Sequence, residues 1–242
     1  MKKLCFSILE RKEYQAKEPF FVEVSSELWA SKLKKIADEI LEEYYAYIQS
    51  HKLQPYFKQD MVSENGKWET VSLKVWGITL HKHQLHFPAI KKWLNEFDEV
   101  LSVSINVLSP NASIHPHYGD TNAIYRVHFG LIIPEGLPNC GIQVGNTKKP
   151  WKEFDFVAFN DCYTHSVWNY TNQSRLVIVI DILKKDFYNK KKFICSMVLT
   201  GLWLQKVATK FTFLYKLPMF VQKMLIYCLL IPVYCITIFK IK

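Results

Sequence analysis

The feature that most constrains this chain is a change of hydrophobic period at Val100. From there to Leu183 the apolar residues come in short runs (VLSVSINVL, AIYRVHFGL, GIQVG, FVAFN, SVWN, RLVIVIDI), parted by turn formers such as Ser109-Pro110-Asn111, EGLPN and YTNQS. Short runs rich in Val, Ile and Phe, bounded by Gly, Pro, Asn and Ser, read as strands and turns. Ahead of them, residues 25–50 set Leu28, Leu33, Ile36, Ile40, Leu41 and Tyr44 at three- and four-residue spacing behind a serine cap. That spacing predicts one amphipathic helix. A strand region is expected at 66–80, and a second helix at 87–97 with Pro88 in its first turn. Helices followed by many short strands predict a mainly β (α+β) fold, a sandwich or jelly roll with the helices against one sheet.

Charge divides the chain differently. The formal charge is +9, yet the last acidic residue is Asp186, and residues 188–242 hold nine lysines with no Asp, Glu or Arg. The body therefore balances 22 basic against 22 acidic side chains, and the tail carries the excess. A neutral body has no basic face for nucleic acid, whereas lysines interleaved with Trp, Tyr and Phe suit a membrane surface. The run MLIYCLLIPVYCITIF, with Pro232 inside it, is shorter than the roughly 20 residues a span needs, so it is read as a span, a hairpin or an interfacial helix. Two units are expected: 1–187, with a β core at about 66–183, and a basic, apolar tail at 188–242.

The opening MKKLCFSILERKEY has too few apolar residues before its charged run for a secretory signal, which predicts a body facing the cytosol. The sequons at Asn111, Asn169 and Asn172 are then accidental. Six scattered cysteines without a C-x-x-C pair predict free thiols, not a disulfide framework or a zinc site.

The chemistry lies in residues 115–181, where polar side chains interrupt apolar strands. His117 and His165 are far apart in sequence, and Arg175 follows the second by ten residues at the head of the most apolar strand. The spacing from His165 to Arg175 fits a hairpin with both residues at one rim. In AIYRVHFGL, Arg126 and His128 share a strand face. Burying an arginine is costly without an anion, and a bound dicarboxylate would supply one through a bidentate fork. Two histidines beside such cations suit a mononuclear non-haem Fe(II) site. The cluster His81, His83 and His86 sits among lysines in a polar connector and is read as structural, and His115 as a residue either supporting a ligand or at the surface.

Residues from about 66 to 183 resemble the aspartyl/asparaginyl β-hydroxylase family, Fe(II)- and 2-oxoglutarate-dependent oxygenases with a double-stranded β-helix (jelly roll, cupin-like) fold. The resemblance rests on HYGDTN at 117–122, RVHFGLIIP at 126–134, WKE at 151–153, FND at 159–161, HSVWN at 165–169 and Arg175-Leu176. It implies His117 and His165 as catalytic iron ligands and Arg175 as the partner of the distal carboxylate of 2-oxoglutarate. It places Arg126 and His128 near the other carboxylate, and Asn106 where the family often has a small hydroxyl near the distal one. Gly119 stands where the wider oxygenase superfamily has an Asp or Glu ligand. Two histidines completed by 2-oxoglutarate and water are therefore expected, with Asp120 a candidate for a water-mediated contact.

The implied reaction uses Fe(II), 2-oxoglutarate and O2 to hydroxylate a C–H bond. Members act on a lipid acyl chain or on protein Asp and Asn side chains, and the tail favours the lipid. The alternative is a non-catalytic, membrane-tethered β-fold binding module. The intact His117, His165 and Arg175 weigh against it.

Overall fold

The computed structural model describes residues 2–10, 14–15 and 17–241. Met1 and residues 11–13 of the opening segment, and Lys242 of the tail, lie outside it. In chain order the elements are α1 (Ser7–Glu10), β1 (Phe21–Val22), α2 (Leu28–Lys35), α3 (Ala37–Ser50), β2 (Gln54–Pro55), β3 (Trp68–Val75), β4 (Ile78–Thr79), α4 (His81–Gln84) and α5 (Pro88–Leu94). The strand-rich part follows as β5 (Val100–Leu108), β6 (Ala112–His117), β7 (Ile124–Ile132), β8 (Cys140–Val144), β9 (Thr147–Lys149), β10 (Phe156–Phe159), β11 (His165–Asn169) and β12 (Arg175–Leu183). The tail forms α6 (Lys191–Lys210), α7 (Phe213–Lys216) and α8 (Met219–Thr237).

These strands make two antiparallel sheets. The major one runs β1-β10-β7-β12-β5-β3-β2, with β4 paired to β3, and the minor one runs β6-β11-β8-β9. This is the expected double-stranded β-helix, with helices on the outer face of the major sheet. The residues of β12 are nearly all buried because it lies between β7 and β5, with a layer on each side. One core joins α2, α3 and α5 to the major sheet through Trp29, Leu33, Ile40, Ile90, Ile105 and Ile178. A second, with Leu108, Ile114, Ile142, Trp151 and Phe159, fills the space around the minor sheet.

Three local expectations need correction. The helix expected over 25–50 breaks at Ile36 (φ −106°, ψ 14°), whose N–H closes α2 on the Leu33 and Lys34 carbonyls. The break aims two separate apolar stripes at the sheet, Trp29, Ala30 and Leu33 from α2 and Ala37, Ile40 and Tyr44 from α3. Thr147–Lys149, outside the runs read as strands, is the edge strand β9, reached through Gly145 at φ +56°, a conformation glycine adopts without steric cost. Finally, β11 and β12 are not a hairpin: β11 pairs with β6 and β8, and β12 with β5 and β7. The chain crosses between sheets at a corner held by Asn169, whose Nδ2 donates to the carbonyls of Leu108, Ser109 and Gln173.

Candidate active site

His117 closes β6 and His165 opens β11, and the two are direct partners across that antiparallel pair. Their ring centroids lie 4.2 Å apart. Each Nδ1 lies 2.8 Å from the carbonyl oxygen two residues earlier, His115 for the first and Tyr163 for the second. A carbonyl only accepts, so each Nδ1 carries the proton and each Nε2 keeps a lone pair. Burial pushes His117 down to about 4, with Arg126 and Lys58 adding to the effect against the His115 carbonyl. Burial, then the neighbouring His117, holds His165 well below the ordinary histidine value. Two neutral imidazoles with deprotonated Nε2 atoms are in the state that binds a metal.

Asp161, on the loop between β10 and β11, is wholly buried beside them, and its Oδ1 lies 3.6 Å from His165 Nε2. His165 Nε2 carries no proton, and the cation that Asp161 Oδ1 meets here is the guanidinium of Arg126 at 2.7 Å. Gly119 explains how the carboxylate gets there. A Cβ on Gly119 would fall 1.6 Å from Asp161 Oδ2, and the Gly119 N–H donates to the Asp161 carbonyl at 2.7 Å. The residue two after His117 must lack a side chain because a carboxylate from another loop fills that volume. Burial raises Asp161 to about 7, against the pull of Arg126. Asp120 is half-buried and its backbone carbonyl is tied to the Ser7 N–H at 3.0 Å. Among the described residues no group of three or more His, Cys, Asp or Glu side chains is arranged to hold a metal ion.

The two arginines have opposite surroundings. Arg126 Nη1 lies 2.7 Å from Asp161 Oδ1, while its Nε and Nη2 donate to the two oxygens of Asp181 at 2.9 and 3.3 Å. Asp181 is its direct neighbour across β7 and β12. Burial opposes the Arg126 charge, but the two aspartates outweigh it and raise its pKa. The anion that Arg126 requires thus comes from the protein itself. Arg175, at 2% exposure, has no such partner among the described residues: its Nε and Nη1 are buried without hydrogen bonds to them, and burial pushes it down to about 10. Its guanidinium lies over the Trp151 ring, 4.7 Å from the centroid.

A row of rings links Arg175 to the histidines. Trp151 stacks on His128 at 5.8 Å, His128 meets Phe159 edge-on at 5.3 Å, and Phe159 meets His165 at 5.0 Å. Trp151 Nε1 and His128 Nδ1 are also buried without partners. Burial and the two arginines hold His128 neutral. Asn106 lies near the Arg175 end, paired across the sheet with Val177, but its amide is engaged. Its Oδ1 accepts from Trp68 Nε1 at 3.0 Å, and its Nδ2 donates to the Ser104 carbonyl and hydroxyl. The other histidine cluster is remote: His83 bonds the Ser72 carbonyl, and His86 packs on His51 and Tyr47.

Sequence reasoning assigns no role to Trp151 or Asp161. The signal for Trp151 was a lone indole in a basic turn, and for Asp161 an acid in a loop bounded by apolar strands.

The family model for aspartyl/asparaginyl beta-hydroxylase matches residues 34–185, more than half the chain. The chain belongs to this family. It is 27% identical over 123 residues to the ornithine lipid ester-linked acyl 2-hydroxylase of Rhizobium tropici, a match covering 51% of this chain and 44% of that protein. It is 27% identical over 130 residues to human aspartyl/asparaginyl beta-hydroxylase, covering 52% of this chain and 17% of the human protein. The chain thus aligns with less than half the length of either relative. Among solved structures, a viral collagen prolyl hydroxylase from Paramecium bursaria Chlorella virus-1 aligns with a TM-score of 0.40 and 10% identity, over 68% of this chain and 96% of that one.

Proposed function

We propose that residues 1–187 form an Fe(II)- and 2-oxoglutarate-dependent hydroxylase and that residues 188–242 attach it to a membrane, the body facing the cytosol. The observation that carries this reading is Arg175, a buried guanidinium with unpartnered N–H groups, joined by a row of rings to two neutral histidines. The residues fit the cofactors. His117 and His165 would hold the iron through Nε2, with Asp161 close to His165. Arg175 would take the distal carboxylate of 2-oxoglutarate in a fork, and the unpartnered N–H of Trp151 lies in the same cradle. His128 lines the middle of the row, and Asn106 the wall beside β12.

Bound iron with 2-oxoglutarate and O2 supplies the oxidising chemistry, converting 2-oxoglutarate to succinate and CO2 as one oxygen atom enters a substrate C–H bond. The protein's own residues prepare the ground. Carbonyl bonds fix both imidazole tautomers, Arg126 and Asp181 hold Asp161 in place, and Trp151 and Phe159 exclude water along the row.

A lipid acyl chain is favoured as substrate over a protein Asp or Asn. One relative is named for a lipid acyl 2-hydroxylase. The tail also packs at the end of the sheet nearest the histidines: Ala123, Ile124 and Leu183 share its cluster, and Arg126 and Asp181 lie two residues further along β7 and β12. The test is succinate formation with iron and 2-oxoglutarate across a panel of membrane lipids, comparing wild type with His117→Ala and His165→Ala. Lipid-stimulated turnover lost in both variants is expected; equal turnover in all three would refute the site.

A further inference from the structure

The tail is a helical hairpin whose two ends both return to the body. Lys191 Nζ at the start of α6 donates to the Asp98 carbonyl. At the end of α8, Thr237 is hydrogen-bonded to Ser196 of α6, and Lys192 donates to the Ile238 carbonyl at 3.2 Å. Ile241 is buried in one cluster with Trp76, Leu101 and Phe187 of the body, against the face of Gly77. A helix crossing a bilayer from the body would release its C-terminus on the far side. Here the C-terminal end of α8 is pinned to the near one.

The two faces of α8 differ sharply. Gln222, Ile226 and Thr237 are buried on the inner face. On the outer face Phe220, Met224, Tyr227 and Ile231 recur at three- and four-residue spacing, and Ile236 and Phe239 continue the exposed apolar surface; Phe220 and Ile231 are 73% and 68% exposed. The thiols of Cys228 and Cys235 are exposed as well. An apolar stripe along a whole helix far exceeds the scattered exposed side chains of a soluble surface. The charged side chains of the tail are all cations: Lys206, Lys210, Lys216 and Lys240 are exposed, and no acid follows Asp186 in the sequence. Lysines at the hairpin's tip oppose deep insertion, because an ammonium at the bilayer centre is costly.

We propose that the outer face of α8 docks on an anionic lipid surface, lying in one leaflet with the lysines at the headgroups, and that the α6–α8 hairpin is monotopic, with the C-terminal end of α8 on the catalytic side. The occupant is a membrane because apolar stripe and cation-only tail together match acyl chains bounded by anionic headgroups. This rests on the membrane-associated reading above and adds the face, the lipid charge and the topology.

The experiment uses the full chain, free of iron and 2-oxoglutarate, with sealed vesicles of phosphatidylcholine alone or mixed with phosphatidylglycerol. Flotation is expected with the anionic vesicles and weakened by salt. Each Lys→Gln change among Lys206, Lys210 and Lys216 should weaken binding about fivefold. Ile231→Asp, at an exposed position, should abolish binding and leave the unfolding temperature unchanged. A membrane-impermeant maleimide should modify Cys228 and Cys235 in free protein and spare both on vesicles, while protease should remove an epitope placed after Lys242. Equal labelling with and without anionic vesicles would overturn the docking face, and a protected epitope would overturn the topology. A dimer broken by Ile231→Asp with no vesicle binding would assign the stripe to a second copy instead. These readouts do not involve turnover. Absent turnover with intact vesicle protection would therefore count against the hydroxylase and leave the docking face standing.

Discussion

Arg175→Met should make the ligand-free protein more stable while removing its response to 2-oxoglutarate. Arg175 is 2% exposed and no carboxylate pairs with it among the described residues, so its charge stands without compensation. Replacing buried ionic groups by apolar ones of similar size is often stabilising by about 1–4 kcal/mol. The lost cation–π contact with Trp151 offsets about 0.5–2 kcal/mol of that. At the middle of both ranges the net is a gain of about 1 kcal/mol, or roughly 2–4 °C in unfolding temperature for a domain of this size. Wild type at a hundredfold excess of 2-oxoglutarate over its dissociation constant should gain about 2.7 kcal/mol, and the Met variant nothing. Arg175→Lys keeps a charge without the fork and should lose most of the ligand response with no gain in stability. Thermal unfolding of the three proteins, with and without 2-oxoglutarate, checks this. If Arg175→Met unfolds earlier than wild type and still responds to the ligand, Arg175 is a structural cation and the cradle is wrongly placed.

Gly119→Ala should cost about 3 kcal/mol or more, since its Cβ would displace the Asp161 carboxylate from Arg126. The exchange Gly119→Asp with Asp161→Gly should recover part of the Mn(II) affinity that Gly119→Ala loses; calorimetry showing Gly119→Ala equal to wild type would refute this. Trp151→Phe keeps a ring over Arg175 and removes the unpartnered N–H. It should weaken 2-oxoglutarate binding about tenfold by titration, the worth of one hydrogen bond to a charged group. The metal-free protein should lose stability as pH falls from 6.5 toward 4. His117 is held down to about 4 and His165 and His128 well below the ordinary histidine value, so the unfolded chain binds these protons first, while Asp161, raised to about 7, offsets one of the three. Each such histidine contributes at most about 1.4 kcal/mol per pH unit in that window, and urea midpoints equal at pH 7 and pH 5 would contradict it.

The strands β5, β7, β8, β10, β11 and β12 were legible because each is a short apolar run, whereas β6 and β9 are too polar to stand out; His117 and His165 were legible as polar residues in otherwise apolar stretches. What pairs with what was not. Ten residues between His165 and Arg175 suit a hairpin as well as a crossing, and only the Asn169 amide tied to Leu108 and Ser109 shows that the chain turns from one sheet to the other. Gly119 read as a missing ligand because the carboxylate filling its space comes from Asp161, far along the chain. Asp181 left a trace, since a lone acid in RLVIVIDI must have a buried partner. The helix break at Ile36 left none; its cause is the sheet the two stripes cover.

The contrast between the two arginines also bears on how ligands enter. Arg126 and Arg175 bring two positive charges to the buried site, and Asp161 and Asp181 bring two negative ones, while the imidazoles stay neutral. On the proposed function, iron(II) and 2-oxoglutarate would add two more of each sign, so the pair together would leave the site balanced. Either one alone would not, and an unbalanced charge is expensive where water is excluded. Asp161, raised to about 7 by burial, sits where a neighbouring dication would favour its ionised form. Arg175 stands at the far end of the ring row, over Trp151, where no carboxylate among the described residues pairs with it. The same low dielectric that makes Arg175 destabilising in the ligand-free protein would make it selective for an anion, because a carboxylate paired with the guanidinium relieves that cost.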